Sequence, residues 1–207
     1  MGKDFYEQTE TGKRVFDKAS ELLGFSMPQL CFEQNDRLDI TEYTQAAMVT
    51  TSIAMMEVLE ERGIKPDVAA GLSLGEYCAL AASGVMSAED AIRTVRQRGI
   101  LMQEAVPVGE GAMAAVLALD ASAIEAVTGA MEGVWIANYN CPGQIVISGK
   151  KAAVEEACEE LKAAGAKRAL MLNVSGPFHS GMLAEAGGKL AKALLLAING
   201  GRCENTG

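Results

Sequence analysis

Helical spacing of apolar residues is the main pattern from residue 1 to about residue 63. No alternating apolar run interrupts it, and the clearest helix is the segment TQAAMVTTSIAMMEVLEERG at 44–63. Its periodic apolar positions are Val49, Ile53, Met56 and Leu59. This spacing predicts an amphipathic helix. Gly63 marks its expected end, because glycine readily adopts the left-handed backbone that follows many helices.

The pattern after this helix predicts a short strand and two more helices. The apolar run at 67–73 indicates the strand, and a helix rich in small residues follows it and closes at Gly84. The segment SAED at 87–90 is a capping-box signature. It predicts the start of a helix that runs to about Ala105.

Short strands and helices alternate in the segment 111–174. GAMAAVLAL indicates a strand, ASAIEAVTGAM a helix, VWIANYN and QIVISG a hairpin around CPG, AAVEEACEELKAAG a helix and AKRALMLNV a strand. The order β-α-β-β-α-β predicts a ferredoxin-like subdomain at 111–174. We expect it to be inserted into a domain made of residues 1–110 and 175–207, which ends in a helix from about residue 183.

The stretch GLSLGEYCAL at 71–80 places Ser73 between a predicted strand and a predicted helix. Glycines at 71 and 75 complete the pattern G-x-S-x-G, which is typical of a nucleophile elbow. The glycines let strand and helix approach each other while the serine occupies a strained turn. The alternative is a serine that only caps a helix between ordinary loop glycines.

Strand pairing presents a difficulty for this part of the chain. Outside 111–174 the only convincing strand is 67–73, and a parallel strand needs neighbours to bond its backbone groups. The elbow therefore implies partner strands that the sequence does not visibly supply.

A serine nucleophile needs a base, and the sequence contains one histidine, His179. It lies in the glycine- and proline-bounded turn GPFHSGM, where a side chain can be directed without helix constraints. One histidine and no paired cysteines give little support for a metal site.

Arg98 lies on the apolar arc of the predicted helix 88–105, whereas Arg93 and Arg96 lie on its polar side. We interpret the latter two as solvated or as a minor partner surface. An arginine that faces a core needs an anion, because an unpaired buried guanidinium is too costly. That anion is either a carboxylate of this chain or a carboxylate of a substrate.

The composition narrows the partners and the compartment. The net charge of −9 argues against wholesale binding to nucleic acid or to an anionic membrane surface. No apolar run is long enough to span a bilayer. Five irregularly spaced cysteines are typical of a reduced cytoplasmic protein.

Several motifs together resemble one enzyme family. In order and spacing, TEYTQAAM, IKPDVAAGLSLGEYCALAASGVMS, RQRGILMQEAVPVGEGAMAAVLAL, NYNCPGQIVISG and NVSGPFHSGML are similar to malonyl-CoA:acyl carrier protein transacylases of fatty-acid synthesis. The similarity runs from residue 1 to about 185. It implies an α/β fold: a hydrolase-like parallel-sheet domain, incomplete here, with an inserted ferredoxin-like subdomain.

The resemblance also implies the chemistry and the partners. A malonyl group would pass from malonyl-CoA to the phosphopantetheine thiol of acyl carrier protein, with no metal and no cofactor. Ser73 would be the acylated nucleophile, His179 its base, and Arg98 the clamp on the malonyl carboxylate. The backbone N–H of Leu74 would be one oxyanion donor. For the acidic carrier we expect a local basic surface at Lys150, Lys151, Lys167 and Arg168.

Two departures from the family leave alternatives open. An opening strand with a GQGAQ-like loop and the C-terminal part of the family pattern are not recognisable, so we expect low activity from this chain. The alternatives are a catalytically impaired fragment that retains carrier-protein binding, and a serine esterase or thioesterase. Arg98 discriminates between the enzymes, because neutral acyl esters do not need it.

Overall fold

The computed structural model of the chain describes residues 1–107, 109–174 and 176–202. The chain divides into two compact units. One contains residues 1–100 and the chain from Leu190 onward, and the other contains residues 101–189.

Helices make up the regular structure of the first unit. They are α1 (Lys3–Gln8), α2 (Glu10–Leu23), α3 (Met27–Phe32), α4 (Thr41–Glu61), α5 (Gly75–Ala82) and the greater part of α6 (Ala88–Ala105). The last helix, α9 (Ala184–Arg202), ends in this unit. The core between the helices is built on large, fully buried side chains, namely Phe16, Met27, Val49, Ile53 and Val95.

Local signals in the sequence explain where these helices begin and end. The Ser26 hydroxyl accepts a hydrogen bond from the Gln29 N–H at the start of α3. The Ser87 hydroxyl does the same for the Asp90 N–H, which confirms the predicted start of α6. Gly63 follows α4 with φ +79°, as predicted.

The second unit contains one four-stranded antiparallel sheet. Its elements are β1 (Gly111–Leu117), α7 (Ala121–Gly129), β2 (Val134–Cys141), β3 (Gln144–Lys150), α8 (Lys151–Ala163), β4 (Arg168–Met171) and a 3-10 turn (Gly181–Leu183). The strand order is β2-β3-β1-β4, and every neighbouring pair is antiparallel. The predicted element order β-α-β-β-α-β is therefore confirmed. Helices α7 and α8 pack on the sheet around buried Ile147 and Leu161.

The predicted strand at 67–73 is wrong for this structure. Residues 67–71 have no regular secondary structure and are exposed, with Val68 87% exposed, and the described residues 1–107 form no strand. The reason is physical: an extended segment becomes a strand only when a neighbour bonds its backbone, and no described residue does so.

Helix α4 is apolar on more than one side. Val49 and Ile53 are buried as predicted, but Leu59 is 45% exposed and Val58 takes the buried position instead. Met48 and Met55 are exposed on the same side as Leu59. In the described part of the chain, no helix combines the length and the apolarity needed to cross a membrane.

Candidate active site

Ser73 lies on the turn that leads into α5. Its φ of 53° is in the left-handed region, which a residue with a Cβ adopts only under constraint. At Gly71, a Cβ would lie 2.0 Å from the carbonyl carbon of Gly75, so only glycine fits there. At Gly75, a Cβ would meet no described atom within 4 Å. The steric role that the pattern predicts for both glycines therefore falls on Gly71 alone.

Arg98 lies beside Ser73. Its guanidinium donates from Nη2 to the Ser73 hydroxyl over 3.2 Å and from Nη1 to Gln45 Oε1 over 2.7 Å. Arg98 is 8% exposed and Gln45 is 6% exposed. Because the Ser73 oxygen accepts this hydrogen bond, its own proton remains to be given to a base.

Burial lowers the pKa of the Arg98 guanidinium, while Tyr77 and Glu76 act in the opposite direction. The Tyr77 ring also faces the guanidinium, with Cζ of Arg98 5.8 Å from the ring centroid. No described carboxylate forms an ion pair with Arg98. The buried internal ion pair considered as an alternative for Arg98 is therefore wrong within the described residues.

The α4 and α6 helices approach each other closely at Gly99. A Cβ at this position would lie 2.5 Å from the Glu42 Cα and 3.0 Å from the Thr41 carbonyl oxygen. Arg96, half-buried, forms an ion pair with Glu42 at 2.9 Å and stacks over the Tyr43 ring at 4.2 Å. The expectation that Arg96 is a solvated surface residue is thus wrong.

Leu74 directly precedes α5. No described residue accepts a hydrogen bond from its backbone N–H. An N–H at the first turn of a helix is a natural donor for an anion or a developing oxyanion.

His179 belongs to the second unit and is exposed on a turn, with φ 59°. The turn is held against the sheet on two sides. A Cβ at Gly111 of β1 would lie 2.3 Å from the Pro177 ring, and one at Gly181 would lie 2.7 Å from the Trp135 indole. The sheet is thus the support that fixes the His179 backbone.

The four basic residues predicted as one surface lie in two places. The register pairs Lys150 with Gly111 at one end of β1 and Arg168 with Leu117 at the other. Six residues of extended chain separate the two ends by about 20 Å. Lys150 and Lys151 therefore form one group, and Lys167 and Arg168 form another.

Gln45 is the site residue that the sequence analysis missed. A signal was available, because Gln45 lies one turn before Val49 on the apolar side of the predicted helix. A buried amide on such a face needs a polar partner, and Arg98 is one. No group of metal-ligating side chains occurs within the described ranges.

Comparison with known proteins shows the family of the chain. The acyl transferase domain model matches residues 1–202. The malonyl CoA-acyl carrier protein transacylase of Bacillus subtilis is 53% identical over 199 residues, which cover 94% of this chain and 63% of that protein.

Two solved structures are similarly close. The malonyl CoA-acyl carrier protein transacylase of Clostridium perfringens superimposes with a TM-score of 0.90 at 45% identity, covering 94% of this chain and 63% of that chain. A malonyl-transacylase in complex with its type II PKS acyl-carrier protein gives a TM-score of 0.90 at 42% identity, covering 94% and 65%. The present chain thus spans just under two thirds of the length of these relatives, and it belongs to the acyl transferase domain family.

Proposed function

We propose that the chain transfers a malonyl group from malonyl-CoA to the phosphopantetheine thiol of acyl carrier protein through an acyl-enzyme on Ser73. One observation carries the proposal: a serine on a left-handed turn before a helix lies 3.2 Å from a buried guanidinium. The turn suits a nucleophile, and the guanidinium suits an acyl group that carries a carboxylate. The named activity of the relatives supports the same reaction.

The first half-reaction forms the acyl-enzyme. Ser73 Oγ attacks the thioester carbonyl carbon while His179 takes the hydroxyl proton. The Leu74 N–H stabilises the resulting oxyanion. The C–S bond then breaks, and coenzyme A leaves as a thiol with the proton that His179 returns.

The second half-reaction uses the same groups in the reverse order. His179 takes the proton of the carrier thiol, and the sulfur attacks the malonyl ester on Ser73. The C–O bond breaks, and Ser73 Oγ recovers the proton. His179→Ala should slow both steps by about 10²- to 10⁴-fold and leave the nucleophile in place.

Arg98 supplies the selectivity for malonyl. Its guanidinium binds the free carboxylate in a charge-assisted and bidentate manner, with each such hydrogen bond contributing about 1.5–3 kcal/mol. The burial of Arg98 and the neutral amide beside it support this role. A neutral acyl ester gains nothing from it, which argues against the esterase alternative.

We propose the finer description of the fold on the same grounds. Residues 111–174 form a ferredoxin-like subdomain, which the antiparallel order β2-β3-β1-β4 supports. Residues 1–110 and 175–207 belong to a hydrolase-like domain whose parallel sheet needs strands that the described residues do not contain. This division follows chain order, and it assigns residues 101–110 and 175–189 of the second compact unit to the hydrolase-like domain. The exposed, unpaired segment before Ser73 and the exposed apolar side of α4 support the need for further strands. We place the protein in the cytoplasm, on its irregular cysteine pattern.

Intact mass after mixing with malonyl-CoA tests the reaction. We expect one malonyl adduct, mapped to Ser73 by peptide analysis and absent from Ser73→Ala. Ser83→Ala is the matched control, because Ser83 ends α5 and its hydroxyl bonds only to the Leu80 carbonyl. Full labelling of Ser73→Ala would contradict the assignment of Ser73 as the nucleophile. If the wild-type chain is not labelled, the alternative of a carrier-binding fragment is favoured.

The ratio of two acylation rates tests the substrate class. Arg98→Ala should slow acylation by malonyl-CoA about 10²-fold or more, because about 1.4 kcal/mol corresponds to a factor of ten. Acylation by acetyl-CoA, which lacks the carboxylate, should be spared. An equal loss with both thioesters would reduce Arg98 to a structural residue. The ratio does not depend on the amount of folded protein.

A further inference from the structure

Two arginines of α6 are held by α4 in chemically different ways. Arg96 is paired with the carboxylate of Glu42 at 2.9 Å, whereas Arg98 bonds to the neutral amide of Gln45 at 2.7 Å. Glu42 and Gln45 are one helical turn apart on α4. The same helix therefore supplies a carboxylate to one guanidinium and only a neutral acceptor to the other.

The burial of the Gln45–Arg98 pair indicates that its neutral amide has a role in function. Arg98 is buried, so a guanidinium there without a carboxylate at ion-pair distance is unfavourable for folding. A glutamate at position 45 would have the same size, would accept the same hydrogen bond and would neutralise the guanidinium. An amide in its place orients the guanidinium and preserves its attraction for an external anion.

Gly99 keeps this amide within reach. Because its hydrogen lies where a Cβ would come within 2.5 Å of Glu42 Cα, the first turn of α4 rests directly on α6. Gln45 is the next residue along α4 on the side facing α6, and its Oε1 meets Arg98 across this contact. The helix crossing thus fixes the amide and the guanidinium together.

We propose that Gln45 is a specificity-determining residue: its neutral side chain orients Arg98 without neutralising it, and so makes the site selective for acyl groups that carry a carboxylate. The inference rests on the proposed function and adds a second residue to its selectivity. Selectivity for acyl groups that carry a carboxylate then depends on Gln45 and Arg98 together.

The test compares three variants in the chain with Ser73 intact. Gln45→Glu neutralises the guanidinium, Gln45→Met keeps its charge but removes the orienting acceptor, and Gln97→Glu adds the same negative charge at an exposed position of α6. The readout is the acylation rate with malonyl-CoA divided by that with acetyl-CoA. A second readout is the ratio of the two affinities in a Ser73→Ala background, which requires no turnover.

We expect the ratio to fall about 10²-fold in Gln45→Glu, about tenfold in Gln45→Met and less than about twofold in Gln97→Glu. The effect of Gln45→Glu should disappear in an Arg98→Ala background, because the guanidinium through which it acts is then absent. Acetyl-CoA acylation should change little in any of them.

Other outcomes would contradict either the role of Gln45 or the proposed substrate class. A wild-type chain that prefers malonyl and keeps its preference in Gln45→Glu overturns the inference and leaves the proposed function standing. If the ratio falls equally in Gln45→Glu and Gln45→Met, the neutral charge of Gln45 is not what determines selectivity. A wild-type chain with no preference between the two thioesters overturns the proposed substrate class, and the inference with it.

Discussion

Two segments that the sequence predicts as strands have different structures in this chain. GAMAAVL at 111–117 is a strand bonded on both sides, by β3 along its whole length and by β4 over part of it. KPDVAAG at 65–71 includes most of the strand predicted at 67–73, but it is exposed and no described residue pairs with it. Strand formation is thus decided by available partners more than by the residues of the strand itself.

The proposed base and the proposed nucleophile differ in the same way, in whether the backbone beside them is paired. The His179 turn rests on a sheet whose strands are all supplied by residues 111–171, whereas the Ser73 turn follows the unpaired segment. Arg98, however, reaches Ser73 from α6, and Gln45 accepts a hydrogen bond from Arg98 from α4. Helices satisfy their own backbone, so this part of the site forms without the sheet.

The largest expected difference between the paired and unpaired segments is in their amide hydrogen-exchange rates. Amides of residues 145–147, in the buried centre of β3, should exchange at least about 10³-fold more slowly than those of residues 67–70. Backbone groups without partners open at no cost, whereas the sheet must unfold locally. Residue-resolved exchange on the isolated chain measures the ratio. Protection at residues 67–70 would show that this segment does pair in solution.

The next largest effect is expected on the acylation rate when the two glycines of the elbow, Gly71 and Gly75, are replaced by alanine. Gly71→Ala puts a methyl group against the Gly75 backbone, and a shift of about 1 Å in the Ser73 turn would cost about 10²-fold in acylation. Gly75→Ala is its matched control: the space is open, and alanine favours the first turn of α5 by about 0.5–1 kcal/mol. Acylation rate and urea midpoint are measured for both. Equal losses in the two variants would mean that the crowding at Gly71 is not what shapes the turn.

Local and periodic signals predicted most of the secondary structure. The element order at 111–174, the N-terminal cap of α6 and the end of α4 depend on neighbouring residues, so the sequence contains them directly. The strand at 67–73 could not be decided in this way, because strand pairing depends on segments distant in sequence. The partners of Arg96 and Arg98 also depend on a helix crossing, which periodicity does not describe.

Gly181→Ala tests whether the sheet positions His179. The new methyl group would meet the Trp135 indole at 2.7 Å and displace the turn, so we expect acylation to fall about tenfold. Shortening the indole in Gly181→Ala/Trp135→Leu should restore most of the rate. Gly188→Ala, whose methyl group meets no described atom, is the control. Because Trp135 is the single tryptophan, its fluorescence reports the displacement directly. A changed spectrum with an unchanged rate would contradict the positioning role.

The smallest effect concerns the two basic groups at the ends of β1. Pro177 packs on Gly111, and Gly111 pairs with Lys150, so Lys150 and Lys151 lie at the end of the sheet that carries the His179 turn. A carrier that delivers its thiol to His179 should meet this pair, and Lys167 and Arg168 are about 20 Å away. Reversing Lys150 and Lys151 to glutamate should lower kcat/KM for the carrier about three- to tenfold at low salt, mainly through association.

The matched reversal of Lys167 and Arg168 changes the net charge of the chain by the same amount, so it serves as the control for general repulsion of an acidic partner. The difference between the two double variants should shrink at high salt, because exposed charges are screened over about 10 Å at 0.1 M. Transfer to the carrier is measured at two ionic strengths, with acylation by malonyl-CoA alone as the reference. Equal effects of the two reversals would mean that the carrier responds only to net charge. A larger effect of Lys167 and Arg168 would place carrier docking at the opposite end of the sheet from the His179 turn.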